Sequence, residues 1–156
     1  MTDLPTPTVG ASAPRGVAPM RLDLAHGGRT ASVWVLDVGL ACCSVELMAA
    51  VADRRAAREA GAVPVSADEA PGVLLVAGTC TDVMAPALLS AYAALPPGTR
   101  VVAYGACASS GGPYWDSYSV TKGIDQLMPV DLYVPGCPPR PEALLDAVLA
   151  LSGAAS

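Results

Sequence analysis

Phenylalanine is absent from the sequence, and histidine occurs once, as His26. Aromatic residues make up only 4% of the chain, and charged residues 15%, with a formal net charge of −5. Each shortage closes a class of function. One histidine, in a stretch rich in small residues, leaves neither a Cys–His pair nor a Ser–His–Asp triad to build. Nine basic residues against fourteen acidic ones give no basic face for nucleic acid. Apolar runs such as "GVLLVAG" at 72–78 fall far short of the roughly 18 residues that span a bilayer. The phosphate-cradling patterns G-x-x-x-x-G-K-[ST] and G-x-G-x-x-G are missing. Residues 1–20 hold four prolines and no apolar signal-peptide core, so the thiols are expected to stay reduced.

What the chain has instead is apolar bulk. Of its 156 residues, 53% are hydrophobic. The length suits one domain with a real core. So high an apolar share points to a sheet buried on both sides, or to a surface that packs on a partner. Residues 1–30, rich in Pro, Gly, Ser and Ala, are expected to form a flexible N-terminal arm. Residues 31–156 form the single domain.

Within that domain, strands and helices alternate. "ASVWVLDV" (31–38) reads as a strand and "SVELMAAVADRRAAREA" (44–60) as a helix with Gly61 as its stop. "VPVS" (63–66) is a short strand, and "GVLLVAG" a stronger one buried on both sides. "APALLSAYAAL" (85–95) is a short helix, and "TRVVAYGA" (99–106) and "PVDLYV" (129–134) are strands. "PEALLDAVLAL" (141–151) closes the chain as a helix, with Pro141 and Glu142 suited to its first turn. This alternation predicts an α/β fold with a three-layer, doubly wound parallel sheet.

The five cysteines fall in a pattern. Cys42 and Cys43 follow the first strand, Cys80 follows "GVLLVAG", Cys107 follows "TRVVAYGA", and Cys137 follows "PVDLYV". Every one lies past the C-terminal end of a predicted strand, the edge where open α/β sheets bind ligands. Buried cysteine is often plain filler, and that suits Cys80 in the tight "GTCTD" stretch. It suits the others poorly, because "GACASSGGP" (105–113) and "PGCPPRP" (135–141) are loops that need no small apolar plug. Four thiolates serve a tetrahedral zinc or an iron–sulfur cluster. Paired C-x₂₋₄-C knuckles are absent, which is off pattern for zinc, while a cubane is large enough to be reached from scattered loops. Tyr114, Trp115 and Tyr118 read as packing under a loop, as a dry lining for a redox centre, or as a partner contact. Glu46 reads as a carboxylate in a first helical turn.

Four segments carry a family resemblance: "GLACCSVELMAA", "VAGTCTDVMAPAL", "GACASSGGPYWDSYSVTKGID" and "MPVDLYVPGCPPRPEALL". In order, over about residues 31–151, they resemble the B subunit (20 kDa iron–sulfur subunit) of NADH-quinone oxidoreductase, respiratory complex I. Small subunits of nickel–iron hydrogenases are similar in architecture but resemble C-x-x-C at the first site, so the tandem Cys42–Cys43 favours the complex I side. The resemblance implies a flavodoxin-like fold with cluster-binding loops at the C-terminal edge of the strands. It implies one [4Fe-4S] cluster, held by Cys42, Cys43, Cys107 and Cys137, with no catalytic residue in the acid–base sense. Cys80 stands outside that ligand set, as a neighbouring thiol or as filler.

The implied function is electron relay to quinone in a translocating NADH:quinone oxidoreductase. The implied partners are a large quinone-site subunit, a ferredoxin-like subunit and a membrane arm, with quinone at the interface and no nucleic acid. The implied place is the cytoplasmic side of the cell membrane, peripheral. The alternative is the small iron–sulfur subunit of a membrane-bound hydrogenase-related or F420-type dehydrogenase complex. The chain departs from the family in two places. "VWVLDVGLACC" stands where the family resembles "WPMTFGLACC", and the acidic "VPVSADEAPG" replaces a basic segment similar to "ASPRQAD". Both lie close to the family's quinone cavity, so the resemblance carries over the cluster and not the quinone pocket.

Overall fold

The computed structural model describes residues 20–26, 29–37, 42–46 and 72–153. The expected strand at 63–66 and the helix beyond residue 46 lie outside these residues. Among the described residues, five strands form one sheet in the order β1 to β5: Met20–His26 (β1), Arg29–Asp37 (β2), Val73–Ala77 (β3), Arg100–Tyr104 (β4) and Leu132–Val134 (β5). From β2 to β5 every pairing is parallel. The chain therefore has the α/β fold that its alternating pattern predicts.

One edge differs from the expectation. Strand β1 runs antiparallel to β2, from the Met20–Val35 pair to the His26–Arg29 pair. Residues 20–26 and 29–30, expected in the flexible arm, are thus part of the sheet. The flavodoxin order 2-1-3-4-5 would put a parallel strand beside the first one; here the antiparallel β1 takes that place. Residues 20–24, "MRLDL", alternate apolar and polar, and the two residues before Arg29 are glycines. That is a hairpin signal, outweighed in the sequence by the composition of residues 1–30.

Strand β3 is buried along its whole length, and Leu74, Leu75, Val76 and Ala77 have no exposed surface. Its alternate residues enter two separate cores, as the period of a strand requires. Val73, Leu75 and Ala77 join Val102, Tyr104 and Val134 under helix α4 (Pro141–Gly153), which contributes Leu144 and Val148. Leu74 and Val76 join Val101 and Ala103 under helix α2 (Ala85–Ala93), which contributes Leu88 and Ala91. Helices therefore cover both faces of the sheet, and three layers result. Below β4 and β5, Asp131 ties the strand starts together. Its carboxylate accepts the Val101 N–H at 2.7 Å and an Arg100 guanidinium N–H at 2.8 Å.

Two further helices differ from the reading of the sequence. Residues 42–46 are helical, so Cys42 and Cys43 lie within helix α1, which was expected to start only at residue 44. Cys107 sits in a short helix, α3 (Ala106–Ser110), where a glycine- and serine-rich loop was expected. The helix is too short for apolar periodicity to reveal it. Among the described residues no helix is long and apolar enough to cross a membrane.

Candidate cysteine centre

Because β2 to β5 are parallel, the residues after them emerge along one edge of the sheet. Cys42, Cys80, Cys107 and Cys137 all follow those strand ends, as the sequence spacing predicts. The structure then separates Cys80 from the rest. Cys80 has no exposed surface and packs with Leu74, Val76 and Leu88 in the core under α2. Its thiol donates weakly to the Thr81 carbonyl at 3.9 Å. Burial first, then the charge of Asp82, push its pKa up, against a hydrogen bond from Thr121. None of the other four cysteines contributes to that shift.

The charges of Cys42 and Cys107 act on both Cys43 and Cys137. Burial pushes the Cys43 thiol up to about 12, and the charges of Cys42, Cys107 and Cys137 and a hydrogen bond with Cys42 push the same way. The Cys137 thiol is also raised, by desolvation first and then by Cys42 and Cys107. Like charges crowded together oppose ionisation. A positively charged centre between the sulfurs reverses that balance and lets all four stand as thiolates. Cys43 and Cys107 are buried, at 1% and 3% exposed, whereas Cys42 and Cys137 are exposed. The group therefore has a buried floor and an open rim.

Two glycines make room for the buried sulfurs. Gly105, at φ +89°, lies where any Cβ would collide with the Cys43 sulfur. A Cβ on Gly112, at φ +55°, would come within 2.9 Å of the Cys107 sulfur. Both backbones also occupy the positive-φ region that favours glycine. The cysteines were legible in the sequence; these glycines were not singled out, although "GAC" and "SGGP" flank Cys107.

Thiolates are the natural donors for an iron–sulfur cluster, and the four sulfurs here fit that group in kind and number. Among the described residues, no three His, Cys, Asp or Glu side chains stand so as to hold a metal ion. Cys42 lies within hydrogen-bond reach of both Cys43 and Cys137. Tyr114, Trp115 and Tyr118 are 55%, 60% and 98% exposed, so they do not pack under a loop. Asp82 is engaged, accepting a hydrogen bond from Thr121 Oγ1 at 3.1 Å.

The fold and site define a class: an α/β protein that gathers four thiols, two buried and two exposed, at the C-terminal edge of a parallel sheet. Residues 40–151 match the family described as the 20 kDa subunit of NADH ubiquinone oxidoreductase. The chain belongs to that family. It is 51% identical over 138 residues to a B subunit of the NADH-quinone oxidoreductase of Streptomyces griseus, covering 85% of this chain and 57% of the relative. It is 50% identical over 134 residues to the corresponding protein of Salinispora tropica, covering 85% of this chain and 71% of that relative. The chain thus spans a little over half of the first relative's length and more of the second's. Among solved structures, it is similar to a chain of the membrane-bound sulfane sulfur reductase, an archaeal respiratory membrane complex. That likeness has a TM-score of 0.58 and 29% identity, and covers 75% of this chain and 66% of the other.

Proposed function

We propose that the chain is the electron-relay subunit of a complex I-like NADH-quinone oxidoreductase, holding one [4Fe-4S] cluster through Cys42, Cys43, Cys107 and Cys137. The observation that carries this reading is geometric: the Cys43 and Cys107 sulfurs lie buried against Gly105 and Gly112, the loop of Cys137 is bonded to the same segment through Ala106 and Gly136, and Cys80 sits apart in the core under α2. When bound, the cluster supplies one-electron storage. The chain's own residues hold it, exclude water from its inner side and leave its outer side open. Cys43 and Cys107 form the dry floor, Cys42 and Cys137 the rim. No side chain described at the site is placed for acid–base work, so protons are handled by partners.

Electrons enter from a partner's centre and leave to quinone at the interface with a larger subunit. The partners in this reading are that quinone-site subunit, a ferredoxin-like subunit and a membrane arm, with the chain peripheral on the cytoplasmic side. Exposed Val45, Val83, Trp115 and Tyr118 supply apolar surface for such neighbours. The likeness to the sulfane sulfur reductase chain supports a second reading, in which the same cluster serves another acceptor. The hydrogenase-related and F420-type complexes share that outline.

Anaerobic purification of the full chain with its co-purifying subunits tests both readings. About four iron and four sulfide per chain are expected, with an EPR signal on reduction and partner masses that match complex I subunits. Partners of another complex would favour the second reading. A colourless, iron-free protein would sink both.

A further inference from the structure

The loop that carries Cys137 is short of fasteners. Pro135, Pro138 and Pro139 have no N–H to donate, so the loop is held through its carbonyls. Residues 104–106 hold it. The Gly105 N–H donates to the Val134 carbonyl at 2.9 Å, just before the loop, and the Ala106 N–H to the Gly136 carbonyl at 2.8 Å. The third bond comes from a side chain: the Tyr104 hydroxyl donates to the Pro139 carbonyl at 2.9 Å. Carbonyls on either side of Cys137 are thus both anchored to the segment that leads into Cys107.

Tyr104 is also tied to Cys43. It has no exposed surface, and its ring packs in the same buried cluster as Cys43, Val134 and Leu144. The next residue, Gly105, leaves room for the Cys43 sulfur. A phenylalanine ring would fill the same volume, yet the chain has a phenol there and no phenylalanine anywhere. A buried hydroxyl is costly without a partner, and its partner lies two residues past Cys137.

We propose that Tyr104 is a positioning residue for the cysteine centre: its hydroxyl, through Pro139, fixes where Cys137 stands relative to Cys43 and Cys107. The inference rests on the reading of these cysteines as ligands of one cluster. Ligand geometry and the surroundings of the sulfurs set a cluster's potential and spectrum, so the hydroxyl acts on both without touching the metal.

The test is Tyr104→Phe in the full chain, purified anaerobically with its co-purifying subunits beside the wild type. Iron content, far-UV circular dichroism, the reduced-state EPR line shape and the midpoint potential are read on each. The expected result is native circular dichroism with a changed EPR line shape and a shifted potential, with or without a loss of iron. A variant that matches the wild type in line shape and potential would overturn the proposal while leaving the cluster reading intact. Loss of native circular dichroism would overturn it as well, because the hydroxyl would then be a folding determinant. A wild type without iron would overturn the cluster reading itself, and the proposal with it.

Discussion

Cys42 and Cys137 lie on the surface, and Cys43 and Cys107 lie beneath it, so the two pairs meet reagents differently. With metal stripped, iodoacetamide should label Cys42 and Cys137 well before Cys43, which is buried and whose thiol burial pushes up to about 12, making it a poor nucleophile. After anaerobic reconstitution all four should be protected, and peptide mass spectrometry reads the difference. Equal labelling of the four before and after loading would count against the site. Cys80 separates structure from chemistry. Cys80→Ala should leave iron content unchanged and cost about 1 kcal/mol of stability, whereas Cys107→Ser should lose iron. Gly105→Ala should behave like a ligand mutation although it removes no ligand. Its Cβ would collide with the Cys43 sulfur, and its positive φ adds about 1–3 kcal/mol of strain. Iron per chain, measured beside circular dichroism, checks both.

At the scale of elements, the cores under α2 and α4 divide stability from the site. Leu88 of α2 is fully buried, in the core that holds Cys80 and not Cys43. Leu88→Ala should lower stability by about 2–5 kcal/mol in a denaturant titration and leave the EPR line shape of the folded protein unchanged. The elements themselves were legible to different degrees. Strand β3 reads directly from "VLLVA" because burial on both faces removes every polar residue. Helices α2 and α4 begin within a residue of their expected starts, at a Pro-containing first turn. Helix α3 was missed because five residues carry no helical period and Ser109, Ser110 and Gly111 look like a turn. Its serines bond the backbone of the previous turn, Ser109 Oγ to the Gly105 carbonyl at 2.8 Å, which sequence alone does not reveal. The β1–β2 hairpin is harder to read for another reason: Met20, Leu22 and Leu24 alternate as a strand requires, but they lie in a stretch whose Pro, Gly, Ser and Ala content is that of a flexible arm.

For the molecule as a whole, the apolar content has two destinations. Part fills the two cores. Among the described residues, Val45, Val83, Tyr114, Trp115, Tyr118 and Tyr133 remain exposed. Val83 and Tyr118 are brought near one another because the Asp82 N–H donates to the Ser119 carbonyl at 3.0 Å and Thr81 pairs with Val120. Tyr118→Ser with Trp115→Glu should reduce the yield of co-purifying subunits several-fold while iron per chain stays at the wild-type level. Unchanged partner recovery would place the docking surface elsewhere.

The cysteine residues could be read from the sequence because each follows a strand. The resemblance already set Cys80 apart from the other four; the distance between the strands that carry them depends on strand order, which the sequence alone does not give. The four coupled thiols issue from the ends of β2, β4 and β5 and skip β3, whose thiol turns into a core. Two strand spacings, about 9.5 Å, therefore separate the backbone that leads to Cys42 and Cys43 from the backbone that leads to Cys107. In this sense the sheet acts as a ruler. It sets how far apart the backbones that carry the thiols stand, and the Cys43 sulfur spans that distance by lying against Gly105, just past the end of β4.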